Sequence, residues 1–336
     1  MSTHELDAVA RAMTAPGRGI LAADESHPTI AKRFAAIALE STQETRRAYR
    51  ELLFTTPGLG DYIGGVILFD ETLHQSTADG VPLVEVIAKQ GIVPGIKVDR
   101  GTTPLAGFPG ETATEGLDGL RQRLAEYHQL GARFAKWRAV IHIGAGIPSR
   151  ACIEANAHAL ARYAALCQEA ELVPIVEPEV LMDGDHSLAR CESVTGEVLN
   201  AVFGQLLTQH VRYEAMVLKP NMVMPGSTHP GVTNPYAIAE ATVRCLEGHV
   251  PAAVPGIAFL SGGQSEADAT RHLDLINKVG RGPWQLTFSF GRALQHTALQ
   301  VWAGRDENRD AAQAALLNRA RLAGLARAGR YDPTME

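Results

Sequence analysis

FAKWRAVI (134–141) and VPIVEPEV (173–180) are apolar runs of strand length with charged residues set two apart: Lys136 and Arg138 in the first, Glu177 and Glu179 in the second. In a strand, alternate residues share a face, so each charged pair points the same way. The remaining positions are apolar on both faces, the pattern of a parallel strand covered on both sides. Runs of the same kind recur outward from these two. They are GILAAD (19–24), GGVILF (64–69), IVPGIKVD (92–99), MVLKPNM (216–222), GIAFLSG (256–262) and QLTFSFGR (285–292), which makes eight in all.

Between the runs lie helical stripes. Leu117, Leu120, Leu124 and Tyr127 form one, ending at Gly131, a residue suited to a helix C-cap. Ile153, Ala157, Leu160, Ala164 and Cys167 form another. Strands alternating with helices imply right-handed crossovers and a parallel sheet. Eight units closing on themselves give an α/β fold, a (β/α)8 TIM barrel. On periodicity alone an open doubly wound sheet stays in play. No linker or composition break marks a second domain. The expectation is one barrel domain over 1–336, with a C-terminal helix and short tail at about 305–336.

Composition narrows the function. The 336 residues are 46% hydrophobic and 20% charged, an ordinary globular balance. The net charge of −6 disfavours general affinity for nucleic acid or acidic lipid. No apolar stretch is long enough to span a membrane, and MSTHELDAVARAM is too polar for a signal peptide. A cytoplasmic protein is expected. Cys152, Cys167, Cys191 and Cys245 show neither a C-x-x-C pair nor zinc-ligand spacing, and read as small buried hydrophobes. Histidines never recur at i, i+4, and His158, His186 and His210 read as surface or core residues, which disfavours a zinc site.

The polar residues gather at the C-terminal ends of the runs: Asp24, Lys97 and Asp99, Lys136 and Arg138, Glu177 and Glu179, Lys219 and Asn221, Ser261, Ser289 and Arg292. Inside a barrel, charges are costly unless paired with one another or with a ligand. Any one of them could be a structural ion pair, but the whole set would converge on the mouth where barrel enzymes work. Clustered cations and desolvation both disfavour a protonated lysine, and a neutral lysine attacks carbonyls. Neighbouring carboxylates can then carry protons. After the last two runs, Ser261-Gly262-Gly263 and Ser289-Phe290-Gly291-Arg292 offer close backbone approach to an anion, with Arg292 adding a bidentate charge. SGGQS also suits a plain strand-to-helix turn.

These segments resemble class I fructose-bisphosphate aldolases. The likeness runs in one register through GILAADES (19–26), IGGVILF (63–69), GIKVD (95–99), PLAG (104–107) and FAKWR (134–138). It continues through LARYA, VPIVEPE, DGDH, VLKPNMV (217–223), FLSGGQS (259–265), LTFS (286–289) and GRALQ (291–295). The resemblance implies a carbon–carbon lyase that needs no metal or cofactor. Lys219 would form a Schiff base with the ketose carbonyl, and Glu177 would shuttle protons. Asp24 would take part in breaking the C3–C4 bond. Lys136 and Arg138 would orient substrate and ease deprotonation of Lys219, and Glu179 would position Lys136 or Lys219. Ser261, Gly262, Gly263, Ser289, Gly291 and Arg292 would hold one phosphate; Ser26, Arg33 and Lys97 would lie around the other. A small-molecule sugar bisphosphate substrate and a homotetramer follow from the same resemblance.

Two departures stand out. The animal enzymes end in a tyrosine thought to help protonate the enamine, whereas this sequence ends YDPTME, so either Tyr331 does not substitute or another acid protonates the enamine. In DESHPTIAKR, His27-Pro28 replace small residues, and Pro28 is expected to stiffen that loop. Other readings are weaker. IGAGIPS (143–149) has Ser149 in place of the third glycine of a dinucleotide turn. The arginines at 305, 309, 319, 321, 327 and 330 suit a solvated or subunit-packing helix better than an RNA patch. A catalytically dead scaffold, or a related Schiff-base enzyme such as transaldolase or a keto-acid aldolase, completes the alternatives.

Overall fold

The computed structural model describes residues 3–280 and 282–336. At its centre eight parallel strands close into a barrel. They are β1 (Gly19–Ala23), β2 (Ile63–Leu68), β3 (Val93–Lys97), β6 (Phe134–Ile141), β7 (Val173–Val180), β8 (Val217–Leu218), β9 (Gly256–Phe259) and β10 (Gln285–Phe290). A small antiparallel hairpin, β4 (Thr102–Pro104) with β5 (Thr112–Thr114), lies between β3 and β6. The barrel closes where Ile20 and Leu21 of β1 pair with Ser289 and Phe290 of β10. Closure excludes the open doubly wound sheet.

Each expected run contains a strand, but several stop early at the mouth. The shortest is β8, where Pro220 has no N–H to give a ladder. Single hydrogen bonds carry the alignment on: Lys219 N donates to Val176 O at 2.8 Å, and Leu260 N to Pro220 O at 3.1 Å.

The inward positions form layers. At the bottom, Ile20, Phe134, Val173 and Val217 form a buried cluster with Leu6, Ala10 and Met13 of the helix Thr3–Met13, which plugs that end. The Phe134 ring dictates two glycines beside it. A Cβ on Gly95 would sit 2.2 Å from a ring atom, and one on Gly65 would sit 3.2 Å away. Two residues further along each strand from this apolar layer come Lys136 after Phe134, Lys219 after Val217, and Glu177 after Ile175. The apolar plug thus sets the floor on which the charges stand.

The outward strand residues meet a ring of helices. In Arg150–Glu169 the expected stripe Ile153, Ala157, Leu160, Ala164 and Cys167 is buried. In Leu120–Gln129 the buried residues are Leu120, Leu124 and Tyr127, and Gly131 follows with φ +103°. All four cysteines are buried and free. Among the described residues no helix is long and apolar enough to cross a membrane.

The C-terminal helix is Arg309–Arg327, and it packs against Glu266–Val279 and Arg292–Trp302. It differs from the solvated helix expected of its arginines at two positions. Arg327 is buried and donates to Thr14 O at 2.6 Å, to Gln285 Oε1 at 2.7 Å, and to the carbonyls of Ala15 and Arg18. Arg319 is buried too, on Thr270 Oγ1 at 2.7 Å and Glu266 O at 2.9 Å, with Glu336 as counter-ion. Fixed carbonyl acceptors let a guanidinium enter the protein where periodicity alone places it outside.

Candidate active site

Every residue to which the family resemblance gives a part in catalysis or phosphate binding lines one cavity of about 740 Å³ at the C-terminal mouth of the barrel. Asp99 lines it as well. Asn221 does not, because the strand alternation fails past Pro220. Its Oδ1 instead accepts from Val180 N at 3.0 Å, and its Nδ2 donates to Thr195 Oγ1 at 3.2 Å.

The centre of the cavity is a chain of alternating charges. Lys136 Nζ lies 2.8 Å from Asp24, 3.3 Å from Glu177 Oε2 and 3.7 Å from Asp99. Glu177 Oε1 lies 3.0 Å from Lys219 Nζ. Lys136, Glu177 and Lys219 are all buried, so none of these charges is tolerable alone. Burial works against the charged form of Lys136, but Asp24, Glu177 and Asp99 outweigh it and hold its pKa well above the ordinary lysine range. Burial likewise opposes ionisation of Asp24, yet Lys136, Lys219 and Lys97 hold its carboxyl well below the usual range. Lys136 and Asp24 therefore stay a fixed ion pair. Lys219 pairs with Glu177, the carboxylate that it shares with Lys136.

Glu179 was expected beside Lys136 or Lys219; it pairs with Arg138 instead. Lys97 pairs with Asp99 at 2.7 Å, and Asp99 also accepts from the backbone N–H groups of Arg138 and Gly101, both at 3.2 Å. Asp99 thus links Lys97 to the central chain through Lys136, while Arg138 is held apart by Glu179.

On one side of this centre the loops after β9 and β10 face each other. Gly263 has φ +76°, and a Cβ there would lie 2.6 Å from Met182 Sδ, so the turn requires glycine. SGGQS is indeed a strand-to-helix turn, and its Ser261, Gly262 and Gly263 line the cavity at the same time. Ser289 Oγ is buried without a hydrogen-bond partner among the described residues. Gly291 precedes the helix Arg292–Trp302, whose N-terminal N–H groups and dipole favour an anion. Arg292 Nη2 donates to Gln264 O at 3.3 Å, tying the two loops together. Buried His272 holds the Gln264 side chain from behind, Nδ1 to Oε1 at 2.7 Å.

Ser26, Arg33 and Lys97 line the cavity as well, with Arg33 Nη2 3.8 Å from where a Cβ on Gly291 would sit. Ser26 precedes the helix His27–Ala35, with its Oγ 3.1 Å from Thr29 Oγ1. Pro28 sits in the first turn of that helix, where its missing N–H costs nothing. His27 Nε2 is 3.1 Å from Glu71. Sequence reasoning missed Glu25 and Gln295, which line the cavity too. Both sat inside quoted motifs, AADES and GRALQ, but the search for alternate charged positions passed over them.

The decoys lie elsewhere. IGAGIPS forms a tight turn in which Gly144 N donates to Ile147 O at 3.2 Å, and Ser149 caps the next helix by accepting from Cys152 N. His158, His186, His210 and Tyr331 do not line the cavity. The Tyr331 hydroxyl donates to Glu336 Oε1 at 2.7 Å.

Comparison with known proteins agrees with this geometry. The family model described as fructose-bisphosphate aldolase class-I matches residues 5–336. A probable fructose-bisphosphate aldolase class 1 of Xanthomonas campestris pv. campestris is 56% identical, over 98% of this chain and 99% of its own. Cytosolic fructose-bisphosphate aldolase 4 of Arabidopsis thaliana is 55% identical, over 98% of this chain and 84% of its own. A Plasmodium falciparum fructose-bisphosphate aldolase, solved with TRAP and a small-molecule inhibitor, superposes with a TM-score of 0.97 at 49% identity, over 98% of this chain and 95% of that one. The chain belongs to the class-I fructose-bisphosphate aldolase family and is a carbon–carbon lyase of glycolysis.

Proposed function

We propose, on the premise of that membership, that Lys219 is the nucleophile and that its neighbours divide the proton transfers among themselves. The observation that carries this is one carboxylate, Glu177, placed between two buried lysines, only one of which is locked to other carboxylates. Fructose 1,6-bisphosphate binds across the cavity. Lys219 passes a proton to Glu177, and its free amine attacks C2. A second proton passes from the attacking nitrogen to the new oxygen to give the carbinolamine, and Glu177 then gives the proton it holds to that hydroxyl, which leaves as water and yields the iminium. In the resulting iminium, the C=N bond draws in the electron pair of C3–C4 as that bond breaks. Asp24 takes the C4 hydroxyl proton, and glyceraldehyde 3-phosphate departs. The enamine is protonated at C3, and hydrolysis frees dihydroxyacetone phosphate and Lys219. Lys136 stays charged throughout and orients the substrate together with Arg138, while Glu179 holds Arg138.

The two sets of residues that the resemblance assigns to phosphates, both lining this cavity, support a bisphosphate over a single-phosphate substrate. Ser261, Gly262, Gly263, Ser289, Gly291 and Arg292 take one phosphate; Ser26, Arg33 and Lys97 surround the other. The family resemblance supports a homotetramer, and the name of the Arabidopsis relative, which calls that protein cytosolic, supports a place in the cytoplasm. It also supports a single barrel domain with 305–336 folded onto it. The test is turnover of fructose 1,6-bisphosphate to the two triose phosphates with excess chelator present. Full activity is expected; abolition by the chelator would overturn the Schiff-base reading.

A further inference from the structure

Glu25 follows Asp24 in sequence and, like it, borders the cavity, but it is buried among helices. It joins three helices. Its Oε1 accepts from Arg33 of His27–Ala35 and, at 3.0 Å, from Gln295 Nε2 of Arg292–Trp302; its Oε2 accepts from Arg50 Nη2 of Gln43–Phe54 at 2.5 Å. Gln295 is itself fixed, donating to Ala22 O at 2.7 Å and accepting from Tyr49 at 3.2 Å. Within this group Arg33 is the cation that opens on the cavity, its side chain 24% exposed against 3% for Arg50.

The charge count matters. A carboxylate paired with one arginine would cancel the charge offered to an anion. Here one carboxylate carries two guanidiniums, so the group keeps a net positive charge, with Arg50 buried as the permanent counter-ion. Burial alone would raise the Glu25 carboxyl pKa, but Arg33 and Arg50 outweigh it and hold it below the ordinary value. We infer that Glu25 is a positioning residue: with Arg50 and Gln295 it holds the Arg33 guanidinium at the cavity edge, uncancelled, for the phosphate that the proposed function assigns to Ser26, Arg33 and Lys97. This deepens the proposed function and rests on it.

The test compares fructose 1,6-bisphosphate with fructose 1-phosphate, which lacks that second phosphate. Glu25→Gln should raise KM for the bisphosphate about tenfold, as expected for a displaced charged contact, and leave KM and kcat for the monophosphate nearly unchanged. Since removing one buried charge can unfold a protein, the double variant E25Q/R50Q, which removes a cation and an anion together, is the second arm. Gln295→Met, which keeps all three charges, is the third and should show the same split at smaller size. Equal losses on both substrates, or an unchanged bisphosphate KM in a folded variant, would overturn the inference. Borohydride trapping on Lys219 with the monophosphate separates the two levels. Trapping that persists without the KM split sinks only the role of Glu25, whereas absence of trapping in the unaltered enzyme sinks the mechanism beneath it as well.

Discussion

Glu177 lies between Lys219, 3.0 Å from its Oε1, and Lys136, 3.3 Å from its Oε2. The barrel register produces this. β7 is flanked by β6 and β8, and the inward positions of all three carry an ionisable group at the level above the apolar plug. One carboxylate thus serves a lysine that remains charged and a lysine that must lose its charge.

Replacing Glu177 with Gln removes the proton carrier while keeping its shape. The expected loss in kcat is about 10²–10⁴-fold, the usual range for a positioned acid–base group, with formation of the Schiff base becoming slow. Stopped-flow mixing followed by borohydride quench would show it. A variant that forms adduct at the normal rate would remove Glu177 from that step.

Asp24→Asn should separate binding from cleavage. The lysine adduct still forms, but C3–C4 does not break at a normal rate, so trapped substrate accumulates while triose phosphate does not appear. Because Lys136 loses the partner 2.8 Å away, some loss of stability is also expected. Normal turnover would assign the C4 proton to Glu177 or to the substrate phosphate.

Arg292→Ala should raise KM for phosphorylated substrate by about tenfold or more, the scale of a charge-assisted hydrogen bond, with a smaller change in kcat. An unchanged KM would take Arg292 out of the phosphate site.

Acid stability should report on His272. An unfolded histidine takes up its proton near pH 6.5, whereas burial lowers the pKa of His272 to about 4. Between these values the unfolded chain binds more protons, so stability falls as the pH drops through that window, by at most about 1.4 kcal/mol per pH unit from this group. His272→Gln should flatten that part of the profile. Urea midpoints measured at several pH values between 7 and 4 would test it, and an unaltered slope would contradict it.

How far the sequence could be read depended on the kind of contact. The barrel was legible because burial on both faces leaves an apolar run for each strand, and period-2 spacing placed Lys136, Arg138, Glu177 and Glu179 on one side. Spacing along a strand does not say which neighbour a side chain meets after closure. Arg138 sits across from Glu177 in the ladder, yet its guanidinium reaches Glu179. β8 was read too long because Lys219-Pro220 looks like strand but cannot sustain a ladder. Glu25 left no periodic signal, since its three partners come from helices distant in the chain. Buried Arg319 and Arg327 read as surface residues because the carbonyls that receive them are invisible to composition.

The decisive measurement is the position of the trapped sugar. The enzyme is mixed with dihydroxyacetone phosphate or fructose 1,6-bisphosphate, reduced with borohydride, digested and mapped by mass spectrometry. The account predicts a single modified peptide carrying the sugar on Lys219, and none in Lys219→Ala, whose fold stays intact. A sugar fixed to Lys136 instead, or a Lys219→Ala enzyme that still turns over, would contradict it.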